Sequence, residues 1–273
     1  MTRMRAKARH YSIVVVDIER FGSRTNPVQQ WLRDRLYELV DEALDETGVD
    51  RAAAPPPSDR GDGFFWLLPG DVDKVDLTGR FVGLLHDKLR AHSMTSNAEG
   101  AMRLRVALHS GDVAWDGRGW QGEELNTACR LVDLPALRAV LTEAVRAQVA
   151  LAVTGDWYRR VIQQDYPEVE RAAFRRVPFD AKEIRGESAW IRVPGYDTPP
   201  GTPPPDESDG DGPDDLGPRQ PGGPTAQGEQ PIGVYIDVKG PVAGPVGGDL
   251  TVQGDFRVDQ SSGRDRDDLD RSR

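Results

Sequence analysis

The sequence predicts an α+β sandwich, in which helices pack on one face of a mixed, mostly antiparallel sheet. Three observations predict it. Residues 1–195 alternate β-branched apolar runs with stretches whose apolar residues recur at three- and four-residue steps. Some strand-like runs follow one another without a helix between them, and such pairs have to be antiparallel. The third observation is where the charge lies. The chain has 273 residues and a net charge of −10, yet residues 1–195 balance 28 basic against 29 acidic side chains, a near-neutral stretch long enough for one sizeable core.

Tyr11 to Val16 is apolar on both faces, as a central strand covered by helices should be, and it ends at Asp17. Asn26-Pro27 supplies an N-cap and a proline at the first helical position. Val28, Trp31, Leu32, Leu36, Leu39, Val40 and Ala43 then mark an amphipathic helix that stops near Gly48. Residues 49–57 are proline-broken and fit an edge strand, while Phe64 to Leu68 is a strand closed by Pro69-Gly70. A second helix spans about 72–92, with Val75, Leu77, Phe81, Leu84, Leu85 and Leu89 as its buried stripe. Arg103 to His109 alternates as a half-buried strand, and Gly111 to Trp115 is expected to turn back beside it. After the glycine-rich loop 116–122, Leu125, Ala128, Cys129, Leu131 and Val132 mark a short helix, with another over 137–147. Val149 to Thr154 reads as a strand and 156–163 as a helix. Residues 174–177 and 189–193 form a closing hairpin.

From Tyr196 onward the composition changes. This stretch holds 12 of the 21 prolines, 14 of the 29 glycines and 16 acidic against 7 basic side chains. Residues 196–230 carry too little apolar surface to offset the entropy of ordering and are expected to be a disordered linker. Residues 231–258 contain short β-prone pieces and an imperfect Gly-Pro-Val repeat. They either add strands to a protein partner or to another copy, or form a weakly structured tail. Residues 259–273 are a charged tail. No basic footprint for nucleic acid is present, no apolar run approaches a membrane span, and the basic start lacks the apolar core of a secretory signal. With one cysteine, Cys129, no internal disulfide can close, and a cytoplasmic location is expected.

Two aspartates sit where strands end. Asp17 closes the first strand, and Asp62 lies in Gly61-Asp62-Gly63 just before a later one. If these strands are neighbours, both carboxylates enter one crevice and offer the hard oxygen ligands that Mg²⁺ or Mn²⁺ takes when it also holds phosphate. The same Asp-Gly pair is also ordinary tight-turn chemistry. Asn126 and Arg130 are four apart on one helical face, placed either to reach a phosphate and ribose or simply to be solvated.

Taken together, Val-Asp-Ile-Glu-Arg-Phe-Gly at 16–22, Gly61-Asp62 before an apolar strand, Leu-Arg-Val-Ala-Leu-His-Ser-Gly-Asp at 104–112 and Gly-Glu-Glu-Leu-Asn-Thr-Ala-Cys-Arg-Leu at 122–131 resemble the class III nucleotidyl cyclase catalytic domain. The resemblance covers about residues 10–195, with all segments in order. It implies a ferredoxin-like core acting as a head-to-tail homodimer, with nucleoside triphosphate as substrate and a 3′,5′-cyclic nucleotide and pyrophosphate as products. It further implies two Mg²⁺ or Mn²⁺ ions held by Asp17, Asp62 and the backbone carbonyl of Ile18, with Asn126 orienting the ribose and Arg130 stabilising the transferring phosphate from the other protomer.

The sequence departs from that family where the base is read. Ser58 stands where adenylate cyclases carry a lysine, and the second base-reading position falls near Asp116 or Gly117 in a shortened loop. Arg60 either reads a base edge or is a solvated turn residue. These departures leave the base open, pyrimidine or purine, and motivate an alternative in which a catalytically silent relative binds nucleotide or a partner. The remaining candidates carry less. His109, Ser110 and Asp112 are too close in sequence to align as nucleophile, base and orienter. The four histidines lack metal-ligand spacing, Cys129 suits core packing, and Lys182 suits an exposed turn.

Overall fold

A computed structural model describes residues 7–182 and 184–202; the expected linker beyond 202, the 231–258 segment and the charged tail lie outside the described residues. Eight strands, β1 (Ala8–Ile18), β2 (Ser58–Asp59), β3 (Gly63–Pro69), β4 (Leu104–Trp115), β5 (Trp120–Gln121), β6 (Val149–Thr154), β7 (Arg175–Ala181) and β8 (Ile184–Arg192), form one sheet. Its order is β2-β3-β1-β4-β6-β8-β7, with β5 paired to β4. Helix α1 (Asn26–Thr47) connects β1 to β2. The rod formed by α2 (Lys74–Asp76), a π turn (Leu77–Phe81) and α3 (Val82–Thr95) connects β3 to β4. β2, β3, β1 and β4 are mutually antiparallel neighbours, so this half is a βαββαβ ferredoxin-like core. β6 joins β4 in parallel, and β8 and β7 follow antiparallel.

β1 is central because its side chains are apolar on both faces. Val14, Val16 and Ile18 pack with Leu32, Leu36 and Val40 of α1 and with Leu85 and Leu89 of α3. Ile13 and Val15 pack on the other face with Leu125, Ala128 and Leu131 of α4 (Glu123–Val132) and Leu137 and Leu141 of α5 (Pro135–Glu143). Helices therefore cover both faces, not the single face expected. The reason lies in the sheet, whose alternate residues are apolar on either side and need covering on both.

Other boundaries shift for identifiable reasons. Thr25, not Asn26, is the extended residue before α1, whose far end closes at Gly48 with φ +84°. Residues 49–57 form turns instead of an edge strand, and only Ser58 and Asp59 pair with β3. The second helix is displaced to Lys74–Thr95, starting where the Asp73 carboxylate accepts the Val75 N–H at 2.7 Å. Its π turn contains Gly79, where a Cβ would stand 2.4 Å from the Glu168 carbonyl oxygen. Gly111 does not turn the chain: β4 runs unbroken to Trp115, and β5 is the strand that returns. The helix expected to reach 147 ends at Glu143, and the one expected over 156–163 divides into α6 (Gly155–Arg160) and a 3₁₀ turn at Ile162–Gln164. No helix among the described residues is long and apolar enough to cross a membrane.

Candidate active site

β1 ends between two neighbours, and the pairing register sets Asp17 opposite Gly63 of β3 and opposite Arg105 of β4. Asp62 reaches the same place through a tight turn. The Arg60 N–H donates to the Gly63 carbonyl at 2.8 Å, Gly61 takes φ +96°, and the Asp59 carboxylate accepts the Gly61 N–H at 2.9 Å. The Ile18 N–H donates to the Asp62 carbonyl at 2.8 Å, fastening the turn to the end of β1. Gly61-Asp62-Gly63 is thus a hairpin turn and also a carboxylate mount. Gly63 permits this close approach, since a Cβ there would lie 2.0 Å from the Val16 carbonyl oxygen. Gly63→Ala is expected to cost about 1–3 kcal/mol and to lower the melting temperature by roughly 2–10 °C in a thermal scan.

Asp17 is 4% exposed, and its carboxylate accepts from Arg105. Burial pushes its carboxyl up to about 7; Arg105, which donates to it, opposes the rise, while Asp62 and Asp133 add to it. Asp133 caps the C-terminal end of α4 and accepts from Arg60 at 3.4 Å and from Arg138 at 2.7 Å. A cleft of about 470 Å³ elsewhere is lined by His109 and Thr154, whereas the cleft beside the aspartates is about 610 Å³ and is lined by Ile18, Asp62, Arg20, Arg103, Arg105 and Arg138. Arg103 is partly committed to the fold, donating to the Ala144 and Ala147 carbonyls at 3.0 Å. Two acidic groups below several guanidiniums suit a polyanion that arrives with a divalent cation.

Asn126 and Arg130 do not line this cleft. They lie on α4, with Asn126 exposed and Arg130 half-buried, while Leu125, Ala128, Leu131 and Val132 bury the opposite side. The first turn of α4 is tied to β4 by His109, whose Nε2 is 2.5 Å from Glu124 Oε2 and whose Nδ1 is 2.8 Å from Thr154 Oγ1. Gly111 makes room, because a Cβ there would sit 2.2 Å from Glu124 Cγ. Ser110 follows His109 on the opposite face of the strand, and Asp112 pairs with His10 at 3.3 Å, so these three residues do not converge.

The base-reading candidates are scattered. Ser58 lies in β2 beside a separate groove, Arg60 pairs with Asp133, and Asp116 accepts the Arg118 and Gly119 N–H groups at 2.8 and 2.9 Å within its own turn. Cys129 is half-buried and burial pushes its thiol up, in keeping with packing. Lys182 occupies the β7–β8 turn with φ +51°. Arg105, Asp133, Arg138 and the His109–Glu124 pair are the groups that sequence reasoning passed over. Arg105 had one readable signal, since it stands at an odd position in an alternating strand whose even positions are apolar.

No protein-family model matches this sequence, and no curated protein does. Solved structures similar to the chain include an adenylate/guanylate cyclase/hydrolase from Silicibacter pomeroyi, 21% identical with a TM-score of 0.46, the match covering 70% of this chain and 99% of that one. The guanylyl cyclase Cya2 is 14% identical with a TM-score of 0.48, covering 70% and 94%. A monomeric guanylyl cyclase domain of the RhoGC fusion protein from the aquatic fungus Blastocladiella emersonii is 19% identical with a TM-score of 0.43, covering 68% and 99%.

Proposed function

We propose that this chain is a class III nucleotidyl cyclase, converting a nucleoside triphosphate to a 3′,5′-cyclic nucleotide and pyrophosphate. The observation that carries the reading is that Asp17, buried at the end of β1 against Arg105, and Asp62, in the turn fastened to that strand end, come together at the edge of an arginine-lined cleft. A buried carboxyl held up to about 7 beside a second one is unfavourable when ionised, and a divalent cation relieves that. No cluster of three or more His, Cys, Asp or Glu suited to a metal occurs among the described residues. Two carboxylates nonetheless fit Mg²⁺ or Mn²⁺, which complete their coordination with water and substrate phosphates. Asp17, Asp62 and the Ile18 carbonyl would hold the two ions. When bound, the ions supply Lewis-acid activation of the 3′-hydroxyl and neutralise the triphosphate.

The chain's own groups then position and neutralise. Arg20, Arg105 and Arg138 face the cleft and balance the triphosphate, with Arg105 exchanging Asp17 for phosphate. Asn126 orients the ribose, and Arg130 stabilises charge on the α-phosphate as its bond to the 3′-oxygen forms, the hydroxyl proton passes to water, and pyrophosphate departs with the electron pair of the broken P–O bond. Because Asn126 and Arg130 lie outside the cleft of their own chain, the site is completed by a second copy in a head-to-tail homodimer.

Full-length protein incubated with Mn²⁺ and ATP, GTP, CTP or UTP separately, with products identified by mass spectrometry, tests this directly. A cyclic mononucleotide with equimolar pyrophosphate is expected; nucleotide binding without any product would favour a silent binding module. The shared site has its own signature. Asp17→Asn and Asn126→Ala proteins, each inactive alone, are expected to regain about a quarter of wild-type activity when mixed, since half the dimers are mixed and each has one intact site.

A further inference from the structure

Helix α4 is held to the sheet by apolar burial, which is non-directional. Leu125, Ala128, Leu131 and Val132 fix its distance from β1 and β4 but leave its rotation about its own axis free. The flank carrying Glu123 and Thr127 borders a cleft of about 470 Å³ shared with Ile184 and Arg185 of β8, so that side is open. Gly122, the residue before the helix, has no side chain to cap it. A directional contact crosses from the first turn to the sheet. The buried His109 ring sits between Glu124 Oε2 and Thr154 Oγ1, 2.5 and 2.8 Å away, and Thr154 accepts the Trp157 N–H at 3.5 Å where α6 begins. A neutral imidazole satisfies both partners, with Nε2–H donating to the carboxylate and Nδ1 accepting from the Thr154 hydroxyl; a protonated one donates to both. Turned over, the ring would present carbon to each.

We propose that His109 and Glu124 are positioning residues for the cyclisation: their bond sets the rotation of α4 and so aims Asn126 and Arg130 into a site completed on a second copy. The inference rests on the cyclase reading and deepens it. Glu124 and Asn126 are two residues apart, about 200° round the helix, so a rotation that moves one moves the other by the same angle. A side-chain tip about 6 Å from the helix axis travels about 1 Å when the helix turns by about 10°. Misplacement of that size at a reacting group costs up to about a hundredfold in rate. The strand is shaped for the contact. Gly111 lies on the same face of β4 as His109 and leaves the space through which Glu124 reaches the ring, since a Cβ there would stand 2.2 Å from Glu124 Cγ. Neither His109 nor Glu124 lines the aspartate cleft of its own chain, so a loss of turnover on replacing them would act through α4.

Steady-state turnover of the full-length protein with Mn²⁺ and the nucleoside triphosphate that the wild-type protein cyclises, together with isothermal titration of inorganic triphosphate, tests this. His109→Leu is expected to lower kcat roughly ten- to hundredfold and to leave inorganic triphosphate binding within about twofold of wild type. Glu124→Ala should behave alike, and Glu124→Gln, whose amide oxygen still accepts from Nε2–H, should stay within about threefold of wild type. Mixing supplies a readout that a merely structural defect would not give. His109→Leu mixed with Asp17→Asn is expected to regain about a quarter of wild-type activity, and mixed with Asn126→Ala to gain nothing. If His109→Leu does not fold, Glu124→Ala carries the same mixing test from a half-buried position. A kcat for Glu124→Ala within about twofold of wild type would overturn the proposal. So would a loss that Asp17→Asn fails to rescue, since that marks a general defect or a role in the aspartate half. The control mixture of Asp17→Asn with Asn126→Ala separates this from the reading beneath it. No cyclic product from the wild-type protein defeats the cyclase reading, no recovery in the control defeats its shared site, and this proposal falls with either.

Discussion

Replacing Asp17 or Asp62 by asparagine is expected to lower cyclic nucleotide formation by roughly a thousandfold or more, with the protein still folded. Asparagine keeps the size of the side chain and an oxygen that can accept from Arg105, so the end of β1 and its hydrogen bonds stay in place. What it removes is the negative charge that a divalent cation needs, and a neutral amide oxygen is a weak ligand for Mg²⁺ or Mn²⁺. Both variants should therefore lose metal-dependent nucleotide binding together with turnover. Product formation measured against Mn²⁺ concentration checks this. Activity that survives in either variant would remove both aspartates from the chemistry.

The second large effect is on stability. The Asp17 carboxyl stands at about 7 in the folded chain, chiefly because it is buried, against roughly 3.9 for an unfolded aspartate. Between these two values the folded protein binds more protons than the unfolded one, so stability falls as pH rises from about 4 to about 7 and then levels off. The shift corresponds to at most about 4 kcal/mol from this one group. Asp17→Asn cannot ionise and should lack that fall, so at pH 8 it is expected to melt above the wild-type protein. Mn²⁺ should raise the melting temperature of the wild-type protein at pH 8 and leave that of Asp17→Asn unchanged. Thermal scans from pH 4 to 8, with and without Mn²⁺, measure both. Identical pH profiles for the two proteins would contradict the placement of Asp17 in a desolvated pair.

The residues of the proposed site were legible in the sequence wherever their signal was local. Asp17 and Asp62 could be located because each interrupts an apolar run at its end, and Asn126 and Arg130 because a four-residue spacing places them on one face of a helix. Gly111 misled for the same reason. Glycine within a strand pattern reads as a turn, yet here it accommodates Glu124 from a helix that begins twelve residues later. Asp133 and Arg138 carried no signal, since a polar residue at a helix end or on a helix surface looks alike whether it faces solvent or a site.

The sequence by itself determined most of the strands and helices, the apolar character of both faces of β1 and the placing of the two aspartates at strand ends, because period, caps and turns depend on residues within a few places of one another. Only the tertiary structure decided which groups meet. The register of β1 against β3 and β4 sets Asp17 opposite Gly63, next to Asp62, and opposite Arg105, the packing of α4 and α5 on the second face brings Arg138, paired with Asp133, to the cleft, and the β4–β5 pairing gathers Tyr11, Trp115 and Trp120. These encounters join residues far apart in the chain. They are set by the burial of whole faces and by backbone pairing, so no short stretch of sequence contains them.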